Sequence, residues 1–189
     1  VNPVAVTQSP YGGSAATIPG TIEAAKYDIG GQNIAYYDNT TGNEGNTFRT
    51  DDVDIEASTE GGYNLGWTAA NEWTEYTVNI TPGTYKIEAR VAATEVGKSF
   101  RVEIDGANIA TFTVPNTGDW QTWQTITVNN VALSGGQKIM RIFNITDGFN
   151  LSNIKFSSST TTDTQPPSIS LTAPENNISF NAPANINIS

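Results

Sequence analysis

The stretch Trp73-Thr74-Glu75-Tyr76-Thr77-Val78-Asn79-Ile80 alternates large and polar side chains, and after Pro82-Gly83 the stretch Tyr85-Lys86-Ile87-Glu88-Ala89-Arg90-Val91 alternates again. A period of two residues is typical of a β-strand with one buried face. Pro-Gly is a turn signal. The two stretches therefore predict consecutive strands of a sheet.

The same pattern recurs along the rest of the chain. Residues 100–104 and 109–114 alternate on either side of Asp105-Gly106, which is a hairpin-turn signal. Further strands are predicted at residues 21–24, 53–56, 122–128, 138–143 and 153–156. No segment has a convincing helical period. Many short strands at regular spacing predict an all-β protein, a β-sandwich of two antiparallel sheets.

Composition and charge exclude several classes of function. The 189 residues contain 9 Lys and Arg against 19 Asp and Glu, for a formal net charge of -10. Nucleic acid and anionic membranes need basic side chains to neutralise phosphate, so neither is expected as a partner. The chain has no histidine and no cysteine. It therefore cannot form a Ser-His-Asp triad, a cysteine nucleophile, a disulfide or the usual zinc site.

Shifts in composition divide the chain into four parts. Residues 1–17 are rich in Pro, Gly, Ser and Ala and are predicted to be a linker, followed by one β-sandwich module at 18–157. A Ser/Thr/Pro linker is predicted at 158–167. At 168–189 the alternation resumes, as in the truncated start of an immunoglobulin-like domain. We expect a monomeric piece of a longer protein.

Two tryptophans lie in predicted loops and not in strands. Trp120 follows Gly118-Asp119 in a turn, and Trp67 follows Gly66. Two loop indoles that face one another form a slot for a flat ring with apolar faces and polar edges, which is the shape of a pyranose. The alternative is that both belong to the core, as we expect for Trp73 and Trp123, which alternate within predicted strands.

Six blocks of sequence, in order, resemble family 6 carbohydrate-binding modules: residues 18–24, 48–56, 62–67, 71–76, 118–123 and 148–151. The resemblance covers about three quarters of the chain. It implies a jelly-roll sandwich and a sugar cleft in the loops at one edge. It places the two aromatic walls at Trp67 and Trp120, a floor amide at Asn150 and an acidic ligand at Glu56.

Other positions are open to two interpretations. Asp54 is the alternative to Glu56 on the same strand. Tyr37, in a polar loop, is expected at the rim of the cleft or is an ordinary loop aromatic. The resemblance also implies a structural calcium ion whose first carboxylate is Glu23. Ala25 and Ser152 stand where family members commonly have two further ligands, which weakens that site.

The function expected is a non-catalytic module that binds a neutral β-glycan, with β-1,3-glucan or agar-type chains favoured. It would hold an attached glycoside hydrolase on polysaccharide outside a bacterial cell, and the loop at residues 42–46 would close one end of the slot. One alternative is a structural or adhesion module without a sugar site. The other is a small glycosidase, which needs paired carboxylates and an acid of raised pKa; no sequence motif places an acid in an apolar pocket.

Overall fold

The computed structural model describes residues 7–159. Two short 3-10 turns, Tyr11–Gly13 and Ala24–Lys26, accompany twelve strands. In chain order the strands are β1 (Ala16–Ile18), β2 (Gly20–Glu23), β3 (Tyr36–Tyr37), β4 (Ile55–Ala57), β5 (Tyr63–Leu65), β6 (Trp73–Ile80), β7 (Gly83–Ala92), β8 (Lys98–Ile104), β9 (Ala107–Val114), β10 (Gln124–Leu133), β11 (Gly136–Asn144) and β12 (Asn150–Ser158).

The strands form two six-stranded sheets, and the predicted all-β jelly-roll sandwich is confirmed. The first sheet has the order β1-β6-β11-β8-β9, with β3 also paired to β6. The second has the order β10-β7-β12-β5-β4, with β2 also paired to β12. One pair departs from the expected antiparallel pattern, because β1 runs parallel to β6.

The core lies between the sheets and follows from the alternation of side chains. In β7, Ile87, Ala89 and Val91 are buried while the intervening side chains are only partly so. Phe100 contributes a layer of stacked rings, with its centroid 5.0 Å from Phe112 and 5.4 Å from Phe149. Each buried aliphatic or aromatic side chain contributes roughly 1.5–3 kcal/mol, so this layer stabilises the packing of the first sheet against the loop that leads into β12.

The N-terminal segment corrects the predicted boundaries. Residues 8–17 are not a linker: Ser9 exchanges two backbone hydrogen bonds with Ile29, each 2.8 Å, and Ala16 pairs with Val78 in β6. At the other end, β12 runs to Ser158, and the remaining linker and the immunoglobulin-like start at 168–189 lie outside the described residues. Among residues 7–159, no helix has the length and apolar composition needed to cross a membrane.

One end of the second sheet carries the features that matter for function. β12, β5 and β4 are neighbours in this sheet, and Glu56 in β4 lies directly opposite Asn64 in β5. The loop after β5 and the loop between β9 and β10 bring Trp67 and Trp120 to the same place. The sheet therefore supplies a polar floor and the loops supply its walls.

Candidate functional site

A cleft of about 410 Å³ opens between the two loop tryptophans. Trp67 is 53% exposed and Trp120 is 44% exposed, although both are large apolar side chains. The volume falls in the range of small-molecule sites. The residues that line it are Glu56, Trp67, Thr68, Trp120, Asp147, Gly148 and Asn150.

The backbone of Trp67 is left-handed, with φ at 43°. A bulky side chain rarely adopts this conformation, because its Cβ approaches the backbone. Such strain persists only when the surrounding structure imposes it, and it concentrates at functional sites. The turn thus holds an indole in solvent at a cost in stability. An ordinary surface residue would not require such a cost.

The floor is built on three neighbouring strands. Glu56 Oε1 accepts hydrogen bonds from Asn64 Nδ2 at 3.1 Å and from Asn150 Nδ2 at 2.7 Å. Asn64 and Asn150 are both almost fully buried. A Cβ added to Gly66 would lie 3.4 Å from Asn150 Oδ1 and 3.5 Å from Glu56 Oε1. The missing side chain at residue 66 keeps the space above the floor open.

Gln121 joins the wall loop to this floor. Its Nε2 donates to Glu56 Oε1 at 2.6 Å and to Asn64 Oδ1 at 3.2 Å, and its Oε1 accepts from the Thr59 N–H at 3.0 Å. Asn150 Nδ2 also donates to the backbone oxygen of Trp120 at 2.8 Å. The backbone that carries the Trp120 indole is therefore held by side chains of the floor.

The opposite side of the cleft is held by Thr68. Its hydroxyl donates to the Phe149 carbonyl at 2.6 Å and accepts from the Phe149 N–H at 3.0 Å. The Gly148 N–H donates to the Thr68 carbonyl at 2.9 Å. At the rim, Lys98 Nζ lies 3.1 Å from the exposed Asp147 carboxylate. These contacts tie the loop before β12 to the loop that carries Trp67.

Four of the five side chains proposed for the sugar cleft meet in the structure: Glu56, Trp67, Trp120 and Asn150. Tyr37 does not, because it lies in β3, pairs with Trp73 and lines a different and much smaller cavity. The loop at residues 42–46 is also absent from the cleft lining, so it does not close the slot as expected.

The two remaining tryptophans differ from one another. Trp123 is buried, as expected, although it precedes β10, and its Nε1 donates to Thr59 Oγ1 at 3.3 Å. Trp73 is only half-buried, and its ring lies under the Arg141 guanidinium at 4.3 Å. Neither of these indoles lines the cleft between Trp67 and Trp120.

Sequence reasoning missed Gln121, Asn64 and Thr68. Gln121 and Asn64 lie inside blocks that resemble the family, so the signal was the block as a whole. Nothing in the sequence distinguished these amides from ordinary polar loop residues, because their roles depend on partners far along the chain. Gln121, for example, bonds to residues 57 and 65 positions away.

A second cavity, of about 20 Å³, lies beside the cleft and contains three buried carboxyl groups. Burial raises the pKa of Glu72 to about 7 and that of Asp54 to about 6, and it also raises the pKa of Asp38. No sequence motif indicates these buried acids, so the lack of a motif did not exclude acids of raised pKa. None of the three lines the cleft, however, and they offer no acid to a ring bound there.

The side chains around Glu23 supply few of the oxygen ligands that a calcium ion needs. The exposed Glu23 carboxylate is paired with Lys26 Nζ at 2.8 Å. Within residues 7–159 no group of three or more Asp, Glu, His or Cys side chains is arranged to hold a metal ion. Calcium prefers six to eight oxygen ligands. Ala25 and Ser152 supply no carboxylate to complete such a set.

A sequence model of a protein family and several solved structures indicate the same family for this chain. The sequence model described as "Carbohydrate binding module (family 6)" matches residues 44–158. Among solved structures, the C-terminal family 6 module of a marine laminarinase from Zobellia galactanivorans is 29% identical, with a TM-score of 0.58, covering 74% of this chain and 98% of that one.

Two further structures are similar to the same extent. A family 6 module of lichenase 5A from Cellvibrio mixtus, solved with cellotriose, is 31% identical, with a TM-score of 0.58, covering 75% of this chain and 98% of that one. A family 6 module from Clostridium cellulolyticum, solved with xylose, is 25% identical, with a TM-score of 0.57, covering 75% and 99% respectively.

Proposed function

Since this chain belongs to family 6 of the carbohydrate-binding modules, a non-catalytic family, we propose that it binds one ring of a neutral β-glycan between Trp67 and Trp120. The observation that carries this proposal is the meeting of two exposed indoles over a buried amide and carboxylate floor. Such a cleft matches a pyranose, which has apolar faces and a rim of hydroxyls.

The walls supply most of the binding free energy. Indoles bury a large apolar area at low entropic cost, because each has only two rotatable side-chain bonds. The backbone of each wall loop is already held in place, so the loops need little ordering on binding. Dissociation constants between micromolar and millimolar are expected, on the order of -4 to -8 kcal/mol.

The floor supplies orientation. Asn150 and Glu56 lie side by side, and both present oxygen atoms at the base of the cleft. Each hydrogen bond from a sugar hydroxyl to this floor contributes little net free energy, but a ring that leaves the buried oxygens unpaired would be penalised. The amide and the carboxylate therefore select among sugars that stack equally well on the walls.

The glycan class favoured is a β-1,3-glucan, with an agar-type chain as the second candidate. The similarity to a laminarinase module supports the first of these. In the intact protein the module would tether a secreted bacterial glycoside hydrolase to its polysaccharide and raise its effective concentration there. The net charge of -10 favours a neutral ligand over an acidic one.

The experiment is affinity electrophoresis in gels that contain laminarin, agarose, xylan or mixed-linkage glucan. Wild type is compared with Trp120→Ala and with Val96→Ala, a matched control because Val96 is 76% exposed and lies outside the cleft. We expect retardation by laminarin or agarose that Trp120→Ala abolishes and Val96→Ala preserves. Equal retardation of all three proteins would refute the cleft, and no retardation by any glycan would favour a structural module.

A further inference from the structure

The amide hydrogens of the floor are already used inside the protein. Asn150 Nδ2 donates one hydrogen to Glu56 Oε1 at 2.7 Å and the other to the Trp120 carbonyl at 2.8 Å. Asn64 Nδ2 donates to Glu56 Oε1 and to the Leu65 carbonyl, both at 3.1 Å. A primary amide has two N–H hydrogens, so neither side chain has one left for a ligand.

Three further donor groups near the floor are used in the same way. The Thr68 hydroxyl donates to the Phe149 carbonyl at 2.6 Å, and the Gly148 N–H donates to the Thr68 carbonyl at 2.9 Å. Gln121 Nε2 uses its hydrogens on Glu56 and Asn64. The amide orientations agree with one another, because reversing any of them would place oxygen against oxygen.

Two acceptors remain at the base of the cleft. Glu56 Oε1 takes three N–H donors, whereas Oε2 takes none from the described residues. Asn150 Oδ1 lies under the open position at Gly66, 3.4 Å from where a Cβ would stand. The carboxylate has four lone-pair sites and the amide oxygen two, so both atoms can accept from a ligand.

We infer that the cleft floor is a surface of hydrogen-bond acceptors, fixed by Gln121 as a positioning residue, and that it selects unsubstituted neutral sugars with two neighbouring free hydroxyls. The inference rests on the proposed function and names its ligand class. Each hydroxyl must act as a donor to the floor. A uronate or sulfate placed on the floor would face the Glu56 carboxylate, and no amide of the floor has a free N–H for it, so acidic groups at this position are rejected.

The contacts of Gln121 explain why the surface holds its orientation. Without the Gln121 amide, Glu56 Oε1 loses its shortest donor and Asn64 Oδ1 loses its partner. The carboxylate could then turn, and either of its oxygens could face the cleft. Gln121 does not line the cleft itself, so it acts on the ligand only through Glu56 and Asn64.

The test compares laminaritriose with derivatives in which one hydroxyl at a time is replaced by fluorine. Fluorine has nearly the size of a hydroxyl and cannot donate. In a β-1,3-linked chain O3 of each internal ring is in the linkage, so a pair of neighbouring hydroxyls is free only on a terminal ring. We expect at least two derivatives, substituted at adjacent carbons of the non-reducing terminal ring, to lose about tenfold or more in affinity by calorimetry, because they leave buried acceptors unpaired. Derivatives that all bind within threefold of the parent would overturn the inference.

The decisive variant is Glu56→Gln. The amide oxygen can still accept the three N–H donors, and the NH₂ group takes the place of Oε2, which turns one floor acceptor into a donor. Affinity for laminaritriose should fall, while the discrimination against fluorine at one position should drop from about tenfold to near parity. Unchanged discrimination in Glu56→Gln would contradict the assignment of that acceptor.

Gln121→Leu tests positioning, and its control is Gln137→Leu, at an exposed position of β11. We expect Gln121→Leu to lower affinity about tenfold and to reduce the ratio between parent and fluorinated ligands. A role in stability alone would weaken all ligands equally and leave that ratio unchanged, and melting curves identify any unfolded variant. Failure of the wild type to bind any glycan would overturn the proposed function as well, whereas binding without discrimination would overturn only this inference.

Discussion

The left-handed backbone of Trp67 leads to a reversal of the usual ranking of alanine and glycine. At an ordinary loop position, alanine is more stable than glycine by about 0.4–1 kcal/mol, because it restricts the unfolded chain. With φ at 43°, however, any side chain with a Cβ at residue 67 costs roughly 1–2 kcal/mol. Both substitutions remove the same indole, so the difference between them isolates the backbone.

The expected result is that Trp67→Gly is more stable than Trp67→Ala by about 0.8 kcal/mol, the difference between these two effects. For a domain of this size that corresponds to a melting temperature higher by about 2–3 °C. Urea unfolding and thermal melting measure it directly. The control pair is Trp120→Ala and Trp120→Gly, because Trp120 does not have a positive φ; there the alanine variant should be the more stable.

Both variants at residue 67 should also lose glycan affinity to the same extent. An indole of roughly 250 Å² that is 53% exposed offers one face of roughly 65 Å² to a ring, which at about 25 cal/mol per Å² contributes about 1.6 kcal/mol, or about fifteenfold in affinity. If Trp67→Ala proved the more stable, the turn would be shaped by the indole itself and not imposed by its surroundings, and the argument from strain would be refuted.

The free energy of unfolding should fall as pH rises from about 5 to about 8. Burial raises the pKa of Glu72 from 4.5 to about 7 and that of Asp54 from 3.8 to about 6. The folded state therefore binds more protons than the unfolded state in this range of pH. Urea unfolding at several pH values should show a loss on the order of 3 kcal/mol from Glu72 alone, and Glu72→Gln should flatten the curve. Gly45→Ala should destabilise by about 2 kcal/mol or more, because its Cβ would lie 1.8 Å from a backbone oxygen of β4. Gly66→Ala, with contacts of 3.4 Å and longer, should melt normally yet bind laminarin more weakly, and equal binding would contradict the position of the floor. Adding EDTA should leave the melting temperature unchanged, whereas a drop of several degrees would indicate that Glu23 does belong to a calcium site.

The sequence predicts the central strands well, because one-sided burial imposes a period of two on them. The stretch from Trp73 to Ile80 is β6 to the residue. Prediction from the sequence fails for residues 8–17, where Pro and Gly indicate a linker although Ala16 pairs with β6. A three-residue strand has too few alternations to detect, and its partner lies more than 60 residues away. Local composition does not contain that information.

The residues of the site could likewise be predicted only in part. Trp67 and Trp120 can be predicted, because a large apolar side chain in a loop needs an explanation other than the core. Tyr37 fails that reasoning because β3 is only two residues long and its pairing with Trp73 turns it toward another cavity. Gln121 could not be predicted from the sequence, because a polar residue in a loop is common and does not by itself indicate a function. Its importance arises only when β4 and β5 bring its partners Glu56 and Asn64 together.

The two loops that form the walls have different energetic costs. Trp120 has an ordinary backbone and is held by hydrogen bonds from Asn150 and through Gln121. The loop of Trp67 carries a strained residue and ends at Glu72, a buried carboxyl that accepts the Ala69 N–H at 2.6 Å. Both features lower stability and both lie within six residues, which is the pattern expected where a fold gives up stability to place a functional side chain. We therefore expect the protonation of Glu72 to affect the loop of Trp67, which it contacts at Ala69, more than the loop of Trp120.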